Sequence, residues 1–217
     1  MSRADPGSTS ASAELTRGGR LPRSARRKQL LAAAQQVFVA NGYHAAAMDD
    51  IAERAGVSKP VLYQHFPGKL ELYLALLDTQ AEMLGRAVQE ALSATDDNQA
   101  RIHGVLSAYF GFVDHDGSDG AFRLIFESDL NNEPAVRARV EAVSERTMKA
   151  VADTVAADTG LDRASAELLS TALTGAAQVA ARWWLDRDRP ITQEQAVHLL
   201  ESLLWRGISN FPRLDDH

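Results

Sequence analysis

The sequence predicts an all-α protein, with a three-helix head at the N-terminus followed by a six-helix body. Two observations carry this reading. Apolar residues recur at helical spacing through nearly the whole chain from Ser24 onward. The breaks between these runs hold Gly, Pro, Asn and Asp, the residues that end helices and make turns. No strand pattern or internal repeat is evident.

Residues 1–20 are poor in apolar side chains and rich in breakers, and read as a disordered tail leading into a basic stretch. The head is expected over residues 21–68. Leu30, Leu31, Ala34, Val37 and Phe38 share one face of a first helix, which Asn41-Gly42 ends. A short second helix is expected near 48–55, closed by Gly56. Ser58 stands at the N-cap of a third, with Pro60 in its first turn, where a missing N–H costs nothing.

The body is expected over residues 69–217. A long helix runs to about Ser93, and Ile102, Val105, Leu106, Tyr109, Phe110 and Val113 lie on the next. Residues 114–120 form a turn cluster, and a short apolar helix follows over 122–126. Val136, Val140, Val143, Met148, Val151 and Val155 mark a seventh helix. An eighth is expected over 168–184 and a ninth over 199–211.

Net charge is −6, but it is unevenly spread. Residues 17–69 hold nine Lys and Arg against three Asp and Glu, whereas residues 73–217 hold thirteen against twenty-three. A basic head suits phosphates, and an acidic body does not. The absence of cysteine removes disulfides, thiolate catalysis and Cys-based zinc sites, and fits a reducing cytoplasm. No apolar run approaches the roughly 20 residues of a membrane span. The N-terminus lacks the apolar block of a secretory signal, and Asp5 and Glu14 argue against a transit peptide.

The segment 48–66 suits two short helices crossing steeply. Ile51 and Ala55 face inward, Ala52 is small where the second helix approaches, Gly56 turns the chain, and Leu62 and Phe66 anchor the second helix. This leaves Ser58 at the cap and Lys59, Pro60, Val61, Tyr63, Gln64 and His65 on the outside. Such a face fits a recognition helix in a DNA major groove. Lys59 and Gln64 can bond base edges, Pro60 and Val61 can touch thymine methyls, and Tyr63 and His65 can reach phosphates. Lys69, at the start of the next helix, is a further phosphate candidate. Two packed helices with a mixed surface are the plainer reading of the same pattern.

The run Gly42-Tyr43, Asp50-Ile51-Ala52, Ala55-Gly56-Val57-Ser58, Leu62-Tyr63-Gln64-His65-Phe66, Lys69 and Leu72 closely resembles the signature of the TetR (tetracycline-repressor-like) family of transcriptional regulators. The resemblance implies a homodimer that binds a pseudo-palindromic double-stranded DNA operator and carries a C-terminal ligand and dimer domain. It carries DNA contact onto Ser58, Lys59, Tyr63, His65 and Lys69. One departure is that Ala46-Ala47 stands where the family has Thr or Ser, so no contact is carried onto Ala46, Ala47 or Met48. A narrower resemblance joins residues 58–66 to the run Ala121-Phe122-Arg123-Leu124-Ile125-Phe126-Glu127-Ser128. It is similar to actinobacterial regulators of fatty-acid synthesis, and implies a long-chain acyl-CoA effector.

Bulky side chains gather in the body. Leu106, Phe110, Phe126, Trp183 and Trp184 are candidates to line an apolar cavity, with Arg123 as a candidate for an anionic head group. Core filling is the alternative for each. Trp183 and Trp184 point about 100° apart on a helix and cannot both face one core. Small residues near 170–181, with Leu199, Leu200, Leu203, Leu204, Trp205 and Ile208, suit either a subunit seam or internal packing.

No cofactor or metal is expected. The six His show no ligand spacing, and the 114–120 turn lacks the Gly and Glu of a calcium loop. No Gly-rich phosphate loop or nucleophile elbow occurs, which disfavours an enzyme. A ligand-responsive transcriptional regulator is therefore expected. An acyl-CoA-type binding module without operator binding is the competing reading.

Overall fold

The computed structural model describes residues 21–114, 130 and 133–207. Among them lie eight helices and no strand. These are α1 (Arg23–Ala45), α2 (Met48–Arg54), α3 (Lys59–His65), α4 (Lys69–Ser93), α5 (Asn98–Asp114), α6 (Pro134–Thr159), α7 (Arg163–Asp186) and α8 (Gln193–Arg206). The tail over 1–20, the expected short helix over 122–126, most of the turn before it, and Ile208 lie outside the described residues.

Helices α1 to α3 form the head. Helical geometry breaks at Gly42, whose φ is 71°, a value a side chain would strain. Gly56, at φ 64°, makes the turn between α2 and α3, and Val57 N–H closes it onto Ala52 O at 3.0 Å. Leu30, Ile51 and Leu62 are fully buried, one from each helix, and Phe66 seals the end of α3. From α1, Gln29 Nε2 donates to Ala55 O at 2.8 Å and so holds the end of α2.

Helix α4 begins at residue 69, but its first turns complete the head's core. Tyr73 packs edge-on against both Phe38 and Tyr43, each at 5.2 Å between ring centres. With 25 residues, α4 spans about 37 Å and carries this packing into the body. There Leu84, Val88 and Leu92 are buried against the other helices.

The body packs α4 on α5 and α6, α6 on α7, and α5 on α8. Helix α7 starts earlier than its apolar run, because Asp162 caps it by accepting from Ser165 N–H at 2.9 Å. Helix α8 also starts early, behind a capping box formed by Thr192 and Gln195. Between them Asp188 and Arg189 take φ near 55°, a costly conformation for residues other than Gly. Arg189 is held there by Asp114 at 2.9 Å and lies over the Trp184 ring. Buried Glu201 ties α8 to α5, accepting from Gln99 and meeting His103 Nδ1 at 2.9 Å. Those hydrogen bonds hold its carboxyl below the usual range.

Candidate DNA-binding surface and ligand cavity

Burial of Leu62 and Phe66 turns the opposite side of α3 to solvent. Ser58, Lys59, Pro60, Tyr63 and Gln64 are exposed, while Val61 and His65 are half-buried. The six residues from α3 and the preceding Ser58 thus lie on one short element at the molecular surface. Ser58 occupies the N-cap position, but its side chain makes no capping hydrogen bond. Ala47 likewise gives α2 no side-chain cap, as its methyl group requires.

Lys59 donates to Asp49 Oδ2 at 2.6 Å, across the α2–α3 turn. This hydrogen bond raises the ammonium's pKa above its usual value. Asp49 is a neighbour of Lys59 that sequence spacing does not reveal, since ten residues separate the pair. His65 has its pKa lowered, first by partial burial and then by Arg23, Arg27 and Arg26 of α1.

The Lys69 ammonium is engaged within the head. Its ammonium donates to Tyr43 O at 2.8 Å, Ala46 O at 2.9 Å and His44 O at 3.2 Å, and sits 4.5 Å from the Tyr43 ring centre. A lysine has three donors, and all three are used. They satisfy carbonyls where α1 ends and α2 has yet to begin. A phosphate contact by the Lys69 ammonium would have to break this clamp, whereas one to the backbone N–H groups at the start of α4 would not.

In the body, a cavity of about 400 Å³ opens between α5, α6 and α7. Leu106, Ile102 and Val105 of α5 face Val151 and Val155 of α6 and Leu173 of α7. Trp205 of α8 and Leu92 of α4 complete the wall, whose polar rim holds Asn98, Arg101 and Asp158. Arg101 pairs with Asp158 and donates to the carbonyls of Leu92 and Thr95. It therefore bridges the α4–α5 turn to the end of α6.

Of the residues expected on the wall, Leu106 lines this cavity. Phe110 and Trp184 do not. They pack edge-on against each other at 5.4 Å in the core between α5 and α7. Trp184 Nε1 donates its proton to Ile191 O at 2.7 Å. Trp183 is 48 % exposed and turned away, with Arg187 over its ring. Phe126 and Arg123 lie outside the described residues. Trp205, expected in a seam or in the core, reaches the cavity only because α8 approaches α5.

Trp183 continues an outward stripe on α7 with Leu168 and Val179, and α8 adds exposed Leu199 and Leu203. Of the small residues of α7, Ser170, Thr174, Ala177 and Ala181 are buried within the subunit, while Ala172 is exposed and Gly175, Ala176 and Ala180 are half-buried. Among the described residues no helix is long and apolar enough to cross a membrane, and no His, Asp and Glu cluster could hold a metal ion.

Comparison with known proteins agrees with this architecture. The model of the bacterial regulatory proteins of the tetR family matches residues 30–76. A tetracyclin repressor-like C-terminal domain model matches residues 98–207. The HTH-type transcriptional activator FasR of Mycolicibacterium smegmatis is 47% identical over 196 residues, covering 90% of this chain and 89% of that protein. A TetR-like transcriptional regulator from Rhodococcus sp. RHA1 superposes with a TM-score of 0.67 at 30% identity, covering 88% of this chain and all of that one. The regulator FadR from Bacillus subtilis, solved in complex with stearoyl-CoA, shares the fold at a TM-score of 0.69 and 19% identity, over 83% of this chain and 98% of that one. The chain belongs to the tetR family of bacterial regulatory proteins.

Proposed function

We propose that this regulator binds operator DNA as a homodimer through α3 and responds to a long-chain acyl-CoA held in the body. The observation that carries the ligand half is the apolar cavity walled by Leu106, Val105, Val151 and Leu173. It falls within the usual size range of ligand sites. The stearoyl-CoA complex of a protein with the same fold supports the same ligand class.

On DNA, Lys59, Pro60, Val61 and Gln64 are assigned to the bases, and Ser58, Tyr63 and His65 to the backbone. The head is taken as residues 21–68 and the body as 69–217. The Leu168, Val179 and Trp183 stripe with Leu199 and Leu203 is the subunit seam, because exposed apolar side chains of this extent call for a partner. A regulator of this kind works in the cytoplasm and needs no catalytic residues. The activator description of the mycolicibacterial relative makes activation the direction to test on a promoter reporter.

Selection from random duplexes should enrich an inverted repeat with half-sites spaced by a whole number of helical turns. Gln64→Ala should relax preference at one base pair per half-site, whereas Tyr63→Phe should weaken all sequences alike. Acyl-CoAs of increasing length should bind more tightly by about 0.8 kcal/mol per buried methylene until the cavity is full. Operator affinity should change in parallel, since a ligand shifts an equilibrium only by binding its two states unequally. Equal binding of short and long chains would sink the acyl reading.

A further inference from the structure

We propose that Arg23 and Arg27 of α1, together with His65 of α3, form a phosphate clamp that grips the DNA backbone beyond the bases read by α3. The proposal rests on the operator-binding reading and adds to it a site on a different helix.

Arg23 and Arg27 lie one turn apart on the same side of α1, and Arg27 reaches the end of α3, where His65 precedes Phe66. The Arg27 guanidinium carbon lies 4.4 Å from the centre of the Phe66 ring, where α3 ends. Stacking on that buried ring fixes the charge beside the recognition helix while its N–H groups remain on an exposed side chain. Beside it in the sequence, Arg26 Nη1 donates to Gln29 Oε1 at 2.8 Å, and Gln29 holds Ala55 O at the end of α2. The start of α1 is thereby pinned to both helices of the motif.

Charge balance points the same way. At the N-terminal end of α3, Lys59 is matched by Asp49. At the C-terminal end no such match is made. The first turn of α1 contains no acidic residue, and among the described residues no carboxylate pairs with Arg23 or Arg27. The three arginines instead act on His65 and help to lower its pKa. Like charges held together without a counter-charge oppose folding, and a phosphate would relieve them. Arginine is suited to the task, because its planar fork meets phosphate oxygens through two parallel bonds. When a recognition helix enters the major groove, its N-terminal residues meet the bases. Groups on α1 beside its far end then fall on the flanking backbone, where contacts position the protein without reading sequence.

The test uses the full chain and its selected operator, with affinity followed by fluorescence anisotropy across a salt series. Arg23→Gln removes an exposed charge, and thermal melting checks that Arg27→Gln stays folded. Removing one phosphate contact lowers the slope of log affinity against log salt by about 0.9, so each substitution should lower it by about 1.8 per dimer. The preference among operator variants should stay as in the wild type. Arg27→Lys should keep most of the slope, because it keeps the charge. In the wild type, trimming flanking base pairs should reproduce the loss, and in Arg23→Gln/Arg27→Gln it should cost little more. An unchanged slope in the double variant, with operator binding intact in the wild type, overturns the clamp alone. No duplex binding by the wild type overturns the operator reading and the clamp with it.

Discussion

Lys59 and Asp49 face each other at 2.6 Å on the exposed side of the head, so the first cation of α3 is already paired before DNA arrives. A phosphate or base edge must compete with that carboxylate. Asp49→Asn should therefore raise affinity for every duplex, operator or not, and steepen the salt dependence. In a Lys59→Ala background the same substitution should have a smaller effect. Equal effects in both backgrounds, measured by anisotropy, would mean that Asp49 repels DNA in general and does not act through Lys59.

Lys69 is expected to matter for stability more than for phosphate binding. Lys69→Met leaves three carbonyls without their charged donor, a loss on the order of 1–3 kcal/mol. Thermal melting should show the loss, and the salt slope of DNA binding should not change. A normal melting temperature with a lower slope would restore the phosphate role.

His65 should titrate below 6.5 in the free protein, from burial first and the α1 arginines second. Its contribution to stability is full above 6.5 and is lost as pH falls through the lowered value. A nearby phosphate favours the imidazolium, so the pKa should rise in the complex. The complex then holds more protons than its parts between the two values. Affinity should increase as pH falls through that window, and His65→Gln should flatten the profile. NMR titration of the ring with and without operator checks the sign.

Leu106 sits on the cavity wall and is almost fully buried. Leu106→Trp should fill the space and weaken long-chain acyl-CoA at least tenfold in calorimetry. Operator affinity without ligand should stay within a few-fold of wild type. Loss of folding would show as lost helical circular dichroism; in that case Val105→Phe offers a smaller filling.

Val179 is 69 % exposed in the middle of the α7 stripe. Val179→Glu should place a charge in the subunit seam and shift sedimentation towards monomer. DNA affinity should fall with it, because two half-sites would no longer be bound as one. A dimer that survives Val179→Glu and Leu203→Glu together would put the seam elsewhere.

Much of this protein is written locally in its sequence. Helical periodicity and the Gly42 and Gly56 breaks are near-neighbour properties, so the head and the span of α4 can be read directly. So can the exposed face of α3, because burying Leu62 and Phe66 dictates which residues remain outside. The early starts of α7 and α8 are equally local, but their signals are the polar caps, Asp162 with Ser165 and Thr192 with Gln195, and apolar periodicity does not register them. Tertiary structure decided the rest, because the partners are far apart along the chain. That the Lys69 ammonium meets the carbonyls of Tyr43, His44 and Ala46 appears only in the folded head. Periodicity says that Trp183 and Trp184 diverge, but only the position of Ile191 and Phe110 decides that Trp184 goes inward. The cavity belongs to no single helix. It lies in a gap between α5, α6 and α7 that Leu106 lines, while Phe110 is turned toward Trp184.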